Sequence, residues 1–215
     1  MKRGVEEEFM HEGPLNLRCR CGLLQGHVDA RQAFARATCY CSDCQAFARF
    51  LGRHSDTLDA QGGTQIIAAL PRAVEFTAGS DRLSCKSLSD KGMFRWYASC
   101  CHTAIGNTPR DRSLPYVGLI HTCLPGEAAS LDESLGPVKV ALNTGSALAP
   151  VGAAPIATLF GIARIMSQVV KARLTGKHKD NPFFVPASNA PAREPRVLSP
   201  AERKRLDAAP GDQKL

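Results

Sequence analysis

The sequence contains no run of roughly 18 uninterrupted apolar residues, so it offers no helix of membrane-spanning character. Its first residues, MKRGVEEEFMHEGP, begin basic but turn acidic and never build the apolar core of a signal peptide. No internal repeat is present, which sets stacked-repeat architectures aside. From these absences a cytoplasmic location is expected. What remains is a chain of 215 residues, 44% hydrophobic, enough for one domain with appendages and an ordinary core.

That location bears on the nine cysteines. In a reducing compartment they do not form a disulfide framework, and clustered cysteines there point to metal or redox chemistry. An odd number also leaves at least one unpaired in any disulfide scheme. The net charge of +7 is unevenly placed. Residues 1–160 hold 16 Lys/Arg against 15 Asp/Glu, whereas residues 161–215 hold 11 against 5. The basic character belongs to the tail, and a solvated tail without a nucleic-acid partner is the expected reading.

Residues 1–14 read as a flexible leader. From 15 to 145 the chain is studded with Gly, Cys and short β-type runs, at Thr64–Leu70, Ala73–Thr77, Arg82–Leu88, Met93–Ser99 and Tyr116–Leu124. Short strands with Gly-rich turns argue for a mainly β domain. One helix is expected after Cys44, stopped by Gly52. Residues 146–175 read as a linker followed by an amphipathic helix. Ile156, Leu159, Phe160, Ala163, Met166, Val170 and Leu174 recur there at spacings of three and four. This helix is expected to pack on the β domain. Contact with a membrane surface, or with a second copy, is the reading not favoured. Residues 176–215 hold six of the fourteen prolines and read as an extended basic tail. Within it Ser199-Pro200-Ala201-Glu202 forms a capping box, which predicts a short helix near 199–209.

The informative cysteines are Cys19 and Cys21, then Cys39, Cys41 and Cys44, then Cys100 and Cys101. Zinc binds thiolate strongly, and a structural site takes four ligands in a tetrahedron. Cysteines one or two residues apart reach one ion with little chain-closure cost. Cys39, Cys41 and Cys44 put three thiols within six residues, which would leave a fourth coordination position open. Cys85 and Cys123 lie in apolar runs and read as buried small hydrophobes. His27, His54, His121 and His178 lack ligand-like neighbours.

In order along the chain, these clusters resemble the GFA family, that of the glutathione-dependent formaldehyde-activating enzyme, which includes centromere protein V. The family's Cys-x-Cys-Gly resembles Cys19-Arg20-Cys21-Gly22, and its Cys-x-Cys-x2-Cys resembles Cys39 to Cys44. Phe76-Thr77-Ala78-Gly79 with Leu83 follows, then Arg95-Trp96-Tyr97-Ala98-Ser99-Cys100-Cys101-His102-Thr103 in place of the family's final cysteine knuckle. The match spans about residues 15–125 and looks like a little-characterised branch.

The resemblance implies a β-tent fold with one or two Zn2+ ions. Cys19, Cys21 and Cys101 would be structural ligands, and Cys39, Cys41 and Cys44 would hold the second, catalytic ion. The pattern departs from the family where Ala98 replaces a ligand cysteine and His102 replaces a glycine. Cys100 is then the expected fourth ligand, with His102 and Cys85 as alternatives. The function implied is a carbon–sulfur lyase acting on adducts of an aldehyde with glutathione or another small thiol. The alternative is a non-catalytic zinc module that binds a partner. No general base stands out, no catalytic residue is expected beyond the second metal site, and Asp43 beside the triplet reads as a solvated loop carboxylate, with a hydrogen-bond acceptor behind the metal ligands as the alternative. A redox-sensing thiol protein would require the central cysteines to be metal-free and low in pKa.

Overall fold

The computed structural model describes residues 14–126, 128–152 and 155–208. All of the expected leader except Pro14 lies outside the described residues, as does the end of the expected linker at Ala154. Eleven strands follow in order among the described residues: β1 (Leu15–Arg18), β2 (Gln25–Val28), β3 (Ala33–Cys39), β4 (Thr64–Ala69), β5 (Val74–Ala78), β6 (Leu83–Ser87), β7 (Phe94–Ala98), β8 (Ala104–Thr108), β9 (Val117–Ile120), β10 (Val140–Leu142) and β11 (Arg196–Val197). The helices are α1 (Ser42–Phe50), α2 (His54–Thr57), α3 (Ala128–Leu135), α4 (Pro155–Leu174) and α5 (Pro200–Ala208).

Eight strands make one sheet in the order β10-β3-β4-β9-β8-β7-β6-β11, and β1-β2-β5 make a second, smaller one. The pairings inside both sheets are antiparallel, whereas the edge strands β10 and β11 add in parallel to β3 and β6. Every residue of β8 and β9 is buried. That explains why Val117-Gly118-Leu119-Ile120 reads as a continuous apolar run rather than an alternating one. The main core gathers Leu17, Leu24, Trp96, Ile105, Leu119 and Phe183 between the elements. The five strand segments expected from the sequence all appear, four of them shortened by a residue or more and the fifth, Val74–Ala78, shifted by one residue. The description that fits the whole is a mixed α/β fold around an eight-stranded sheet, with two helices after it.

The C-terminal third meets one expectation by an unexpected face and departs from another. The helix α4 packs on the sheet, touching β3 and β10, but by the face opposite to its large apolar stripe. Val169 and Ala172 are buried, while Ile156, Leu159, Phe160, Met166, Val170 and Leu174 are all exposed. Close approach selects the small face. A Cβ built on Gly161 would lie 2.3 Å from a Val140 methyl, so the helix sits where only a hydrogen fits. The tail after Gly176 is also not a loose extension. Phe183 is wholly buried, with its ring 5.2 Å from that of Trp96 and 5.7 Å from that of Phe76. Two adjacent aromatic side chains bury enough apolar surface to hold a Pro-rich segment in place.

The expected capping box does form. The Glu202 amide donates to Ser199 Oγ at 3.2 Å, and the Ser199 amide donates back to the Glu202 carboxylate at 2.8 Å. The helix it starts, α5, lies on α1, with Arg49 donating to the Leu206 carbonyl at 3.2 Å. No helix among the described residues is long and apolar enough to cross a membrane.

Candidate metal centres

The first cluster joins the tips of two hairpins. Cys19 and Cys21 sit in the β1–β2 turn, where Cys19 and Leu24 face each other and the Gly22 amide donates to the Cys19 carbonyl at 2.9 Å. Gly22 takes the left-handed conformation, φ 79°, that this tight return requires. Cys100 and Cys101 sit in the β7–β8 turn. There the His102 amide donates to the Ala98 carbonyl at 2.8 Å, and His102 itself has φ 56°. His102 thus adopts the left-handed backbone conformation that glycine favours. This left-handed residue makes the sharp turn that lets two adjacent cysteines approach one point. The Arg20 amide donates to Thr103 Oγ1 at 3.0 Å and ties the two turns together.

The four sulfurs lie within 4.8 Å of one another. Cys19 and Cys21 are 3.5 Å apart, Cys19 and Cys100 3.8 Å, Cys21 and Cys100 3.3 Å, and Cys100 and Cys101 3.9 Å. A tetrahedral zinc with bonds of 2.3 Å places its sulfurs about 3.8 Å apart. The four thiols therefore already stand near the corners of a zinc tetrahedron, and the donor set is one that zinc prefers. Cys100 is the fourth sulfur of the group; His102 serves the turn, and Cys85 is buried in β6 as a small hydrophobe. Burial pushes the Cys85 and Cys123 thiols up to about 12, which suits inert core residues. Within the cluster, burial and contacts with Cys21 and Cys19 raise the Cys100 thiol. Burial acts the same way on Cys101, yet its hydrogen bond with Thr103 and backbone donors bring that thiol down to about 6.

The second cluster is made by one strand end and one helix start. Cys39 ends β3, Cys41 caps α1, and Cys44 lies in its first turn, with the Cys44 amide donating to the Cys41 sulfur at 3.4 Å. The three sulfurs again lie within 4.8 Å of one another. The free amides and the positive end of the helix dipole favour thiolate there. Hydrogen bonds from Cys41 and Cys44 hold the Cys39 thiol far below the ordinary thiol range, and the same contacts push Cys44 up.

Three residues complete this site, none of which the sequence links to the triplet; Arg95 figures there only as the start of the Arg95–Thr103 segment. The Asn143 amide donates to the Cys39 sulfur at 3.4 Å, from the segment just after β10. Arg95, almost wholly buried on β7, reaches Cys44 at 3.8 Å and Asp43 at 3.4 Å. Arg203 on α5 grips the same carboxylate at 2.5 Å. Asp43 is therefore a half-buried bridge between two arginines and not the solvated loop carboxylate expected. Arg95 and Asn143 came from strands and loops far along the chain, so no local spacing pointed to them.

A cavity of about 430 Å³ lies beside the first cluster, lined by Cys19, Arg20, Arg53, His102 and His121 among others, and does not reach the triplet. Burial lowers the His121 pKa.

The family of unknown function DUF6151 matches residues 13–193 of the chain. A crystal structure of a Rhodobacter sphaeroides protein is similar at a TM-score of 0.40 and 19% identity, over 58% of this chain and 97% of that one. At that level the likeness carries no functional information. No curated protein matches the chain.

Proposed function

The chain belongs to the DUF6151 family, and from that premise we propose that it is a two-site zinc protein acting on small thiol–aldehyde adducts, like the GFA-type carbon–sulfur lyases its motifs resemble. The observation that carries this reading is the asymmetry of the two clusters: four cysteines converge at one and three at the other. Four thiolates close a tetrahedron, and three leave a position for an exchangeable ligand. Zinc held by Cys39, Cys41 and Cys44 would supply Lewis acidity, lowering the pKa of a thiol or hydroxyl in the open position. The chain's own residues orient and neutralise. Asn143 fixes the Cys39 sulfur, and Arg95 sets a positive charge against Cys44. With Asp43 engaged by Arg95 and Arg203, it is not a free general base.

The second reading is a zinc module without catalysis. It is favoured by one observation: Cys39 and Cys44 are each only 6% exposed, and the 430 Å³ cavity opens at the other cluster. Elemental mass spectrometry on protein purified without a metal-affinity step tests the metal content, with about two zincs per chain expected. Cys41→Ser and Cys19→Ser should each remove one. Cobalt-substituted protein then separates the readings. A change in its absorption on adding glutathione supports the enzyme, and an unresponsive spectrum leaves the module.

A further inference from the structure

The face of α4 that points away from the sheet carries Ile156, Leu159, Phe160, Met166, Val170 and Leu174, every one of them at least 51% exposed. At 100° per residue these side chains fall on one side of the helix, roughly opposite Gly161, Ile165, Val169 and Ala172, which face β3 and β10. A 20-residue helix is about 30 Å long. A row of large apolar side chains of that length, kept in water, is far from the scattered exposure normal for a monomer's surface.

The charge around this row names its partner. Between Glu133 and Asp180 the chain carries six Lys/Arg and no Asp or Glu. Arg164 and Lys171 border the apolar row on one side and Arg173 on the other, while Lys177 and Lys179 follow at the helix end. All of the basic residues on α4 are exposed. An apolar stripe bordered by cations suits the plane of an anionic lipid surface: the apolar side chains enter the acyl boundary and the long basic ones reach the headgroups. A second copy of this chain meets a less favourable condition, because pairing two such faces brings like-charged rows together, with Asp111 near Arg173 offsetting only part of that repulsion.

We propose that α4 is an interfacial helix that docks the protein on anionic membranes, lying in the headgroup plane with the sheet behind it. The docking is peripheral, since the opposite face is committed to β3 and β10.

Co-sedimentation of the full, metal-loaded chain with vesicles tests this, using phosphatidylcholine alone and phosphatidylcholine mixed with phosphatidylserine. Binding to the mixed vesicles is expected, weakening as salt rises. Replacing both Leu159 and Phe160 by Asp should weaken it at least about tenfold. Those side chains are 68% and 70% exposed, so the far-UV circular dichroism should not change. Lys171→Glu and Arg173→Glu should each weaken it about fivefold. Three results overturn the proposal: no binding to the mixed vesicles, binding unaltered by the Leu159/Phe160 replacement, or a dimer in sedimentation that the same replacement dissolves.

Discussion

The guanidinium of Arg95 lies 3.8 Å from the Cys44 sulfur, while its other terminal nitrogen reaches Asp43 at 3.4 Å. The contact crosses 51 residues of sequence and links the central part of the large sheet to the first turn of α1. With Zn2+ bound to three thiolates, as proposed above, this buried cation would offset charge that a single Zn2+ would leave uncompensated. Its partners Asn107 and Asp43 fix its orientation. Groups that orient metal ligands in this way typically contribute 10–100-fold to affinity.

Arg95→Gln should therefore weaken zinc at the triplet by at least about tenfold, with the four-cysteine site unaffected. Competition with a chromophoric chelator reads both sites in one titration. Equal weakening of both would mean a global loss of structure, and no weakening would reduce Arg95 to a packing residue.

His102, at φ 56°, holds the turn that presents Cys100 and Cys101. A non-glycine residue there costs roughly 1–2 kcal/mol, and glycine removes that cost while gaining chain entropy in the unfolded state. His102→Gly should leave stability within about 1 kcal/mol of the parent and keep the zinc. His102→Val, β-branched in a left-handed turn, should lower the melting temperature and loosen that zinc. If the valine variant is as stable as the parent, the turn does not constrain the site.

The candidate ligands were legible because metal-ligand spacing is local. Cys19 with Cys21, and Cys39 with Cys41 and Cys44, meet through a single turn each. Cys100 was harder, since its place depends on His102 taking a conformation that the sequence at that position does not suggest. Arg95 and Asn143 were invisible for the same reason at longer range: sheet pairing alone brings β7 and the end of β10 to the start of α1. The strands were legible wherever Gly or Pro marked their ends. The tail misled, because six prolines outweighed Phe183 and Phe184 in a compositional reading. The helix α4 misled differently. Periodicity fixes that a helix has two faces, but the tight fit of Gly161 on Val140 decides which one turns inward.

Phe183 has no exposed surface, and its ring rests on Trp96, the sequence's one tryptophan. Phe183→Ala should cost about 3–5 kcal/mol, which for a chain of this size lowers the melting temperature by roughly 6–20 °C. Trp96 is itself wholly buried, so its emission reports on the event without a label. A red shift in the folded variant is expected as water reaches the ring. An unshifted spectrum with parent-like stability would mean that the tail rests on the core without supporting it.

The Ser199–Glu202 box fixes the start of α5, and Arg203 on the same helix grips Asp43 beside the triplet. Hydrogen bonds from the Ser199 amide and hydroxyl hold the Glu202 carboxyl below its ordinary value of 4.5. A lowered folded pKa means that the ionised form is favoured by folding. Its contribution is fully present above the unfolded pKa and is lost as pH falls through the folded one. The window is therefore below about pH 4.5, and stability of α5 should be flat from there to neutrality. Hydrogen exchange of the amides of residues 201–208 measures this, with each protein compared at matched pH. The parent should lose protection below that window. Glu202→Gln should be less protected at neutral pH and show a smaller step on acidification. Because Arg203 is carried on the same helix, the acid step should coincide with easier zinc release from the triplet than from the four-cysteine site. If parent and Glu202→Gln exchange alike at both pH values, the box does not anchor α5, and its link to the triplet rests on Arg203 alone.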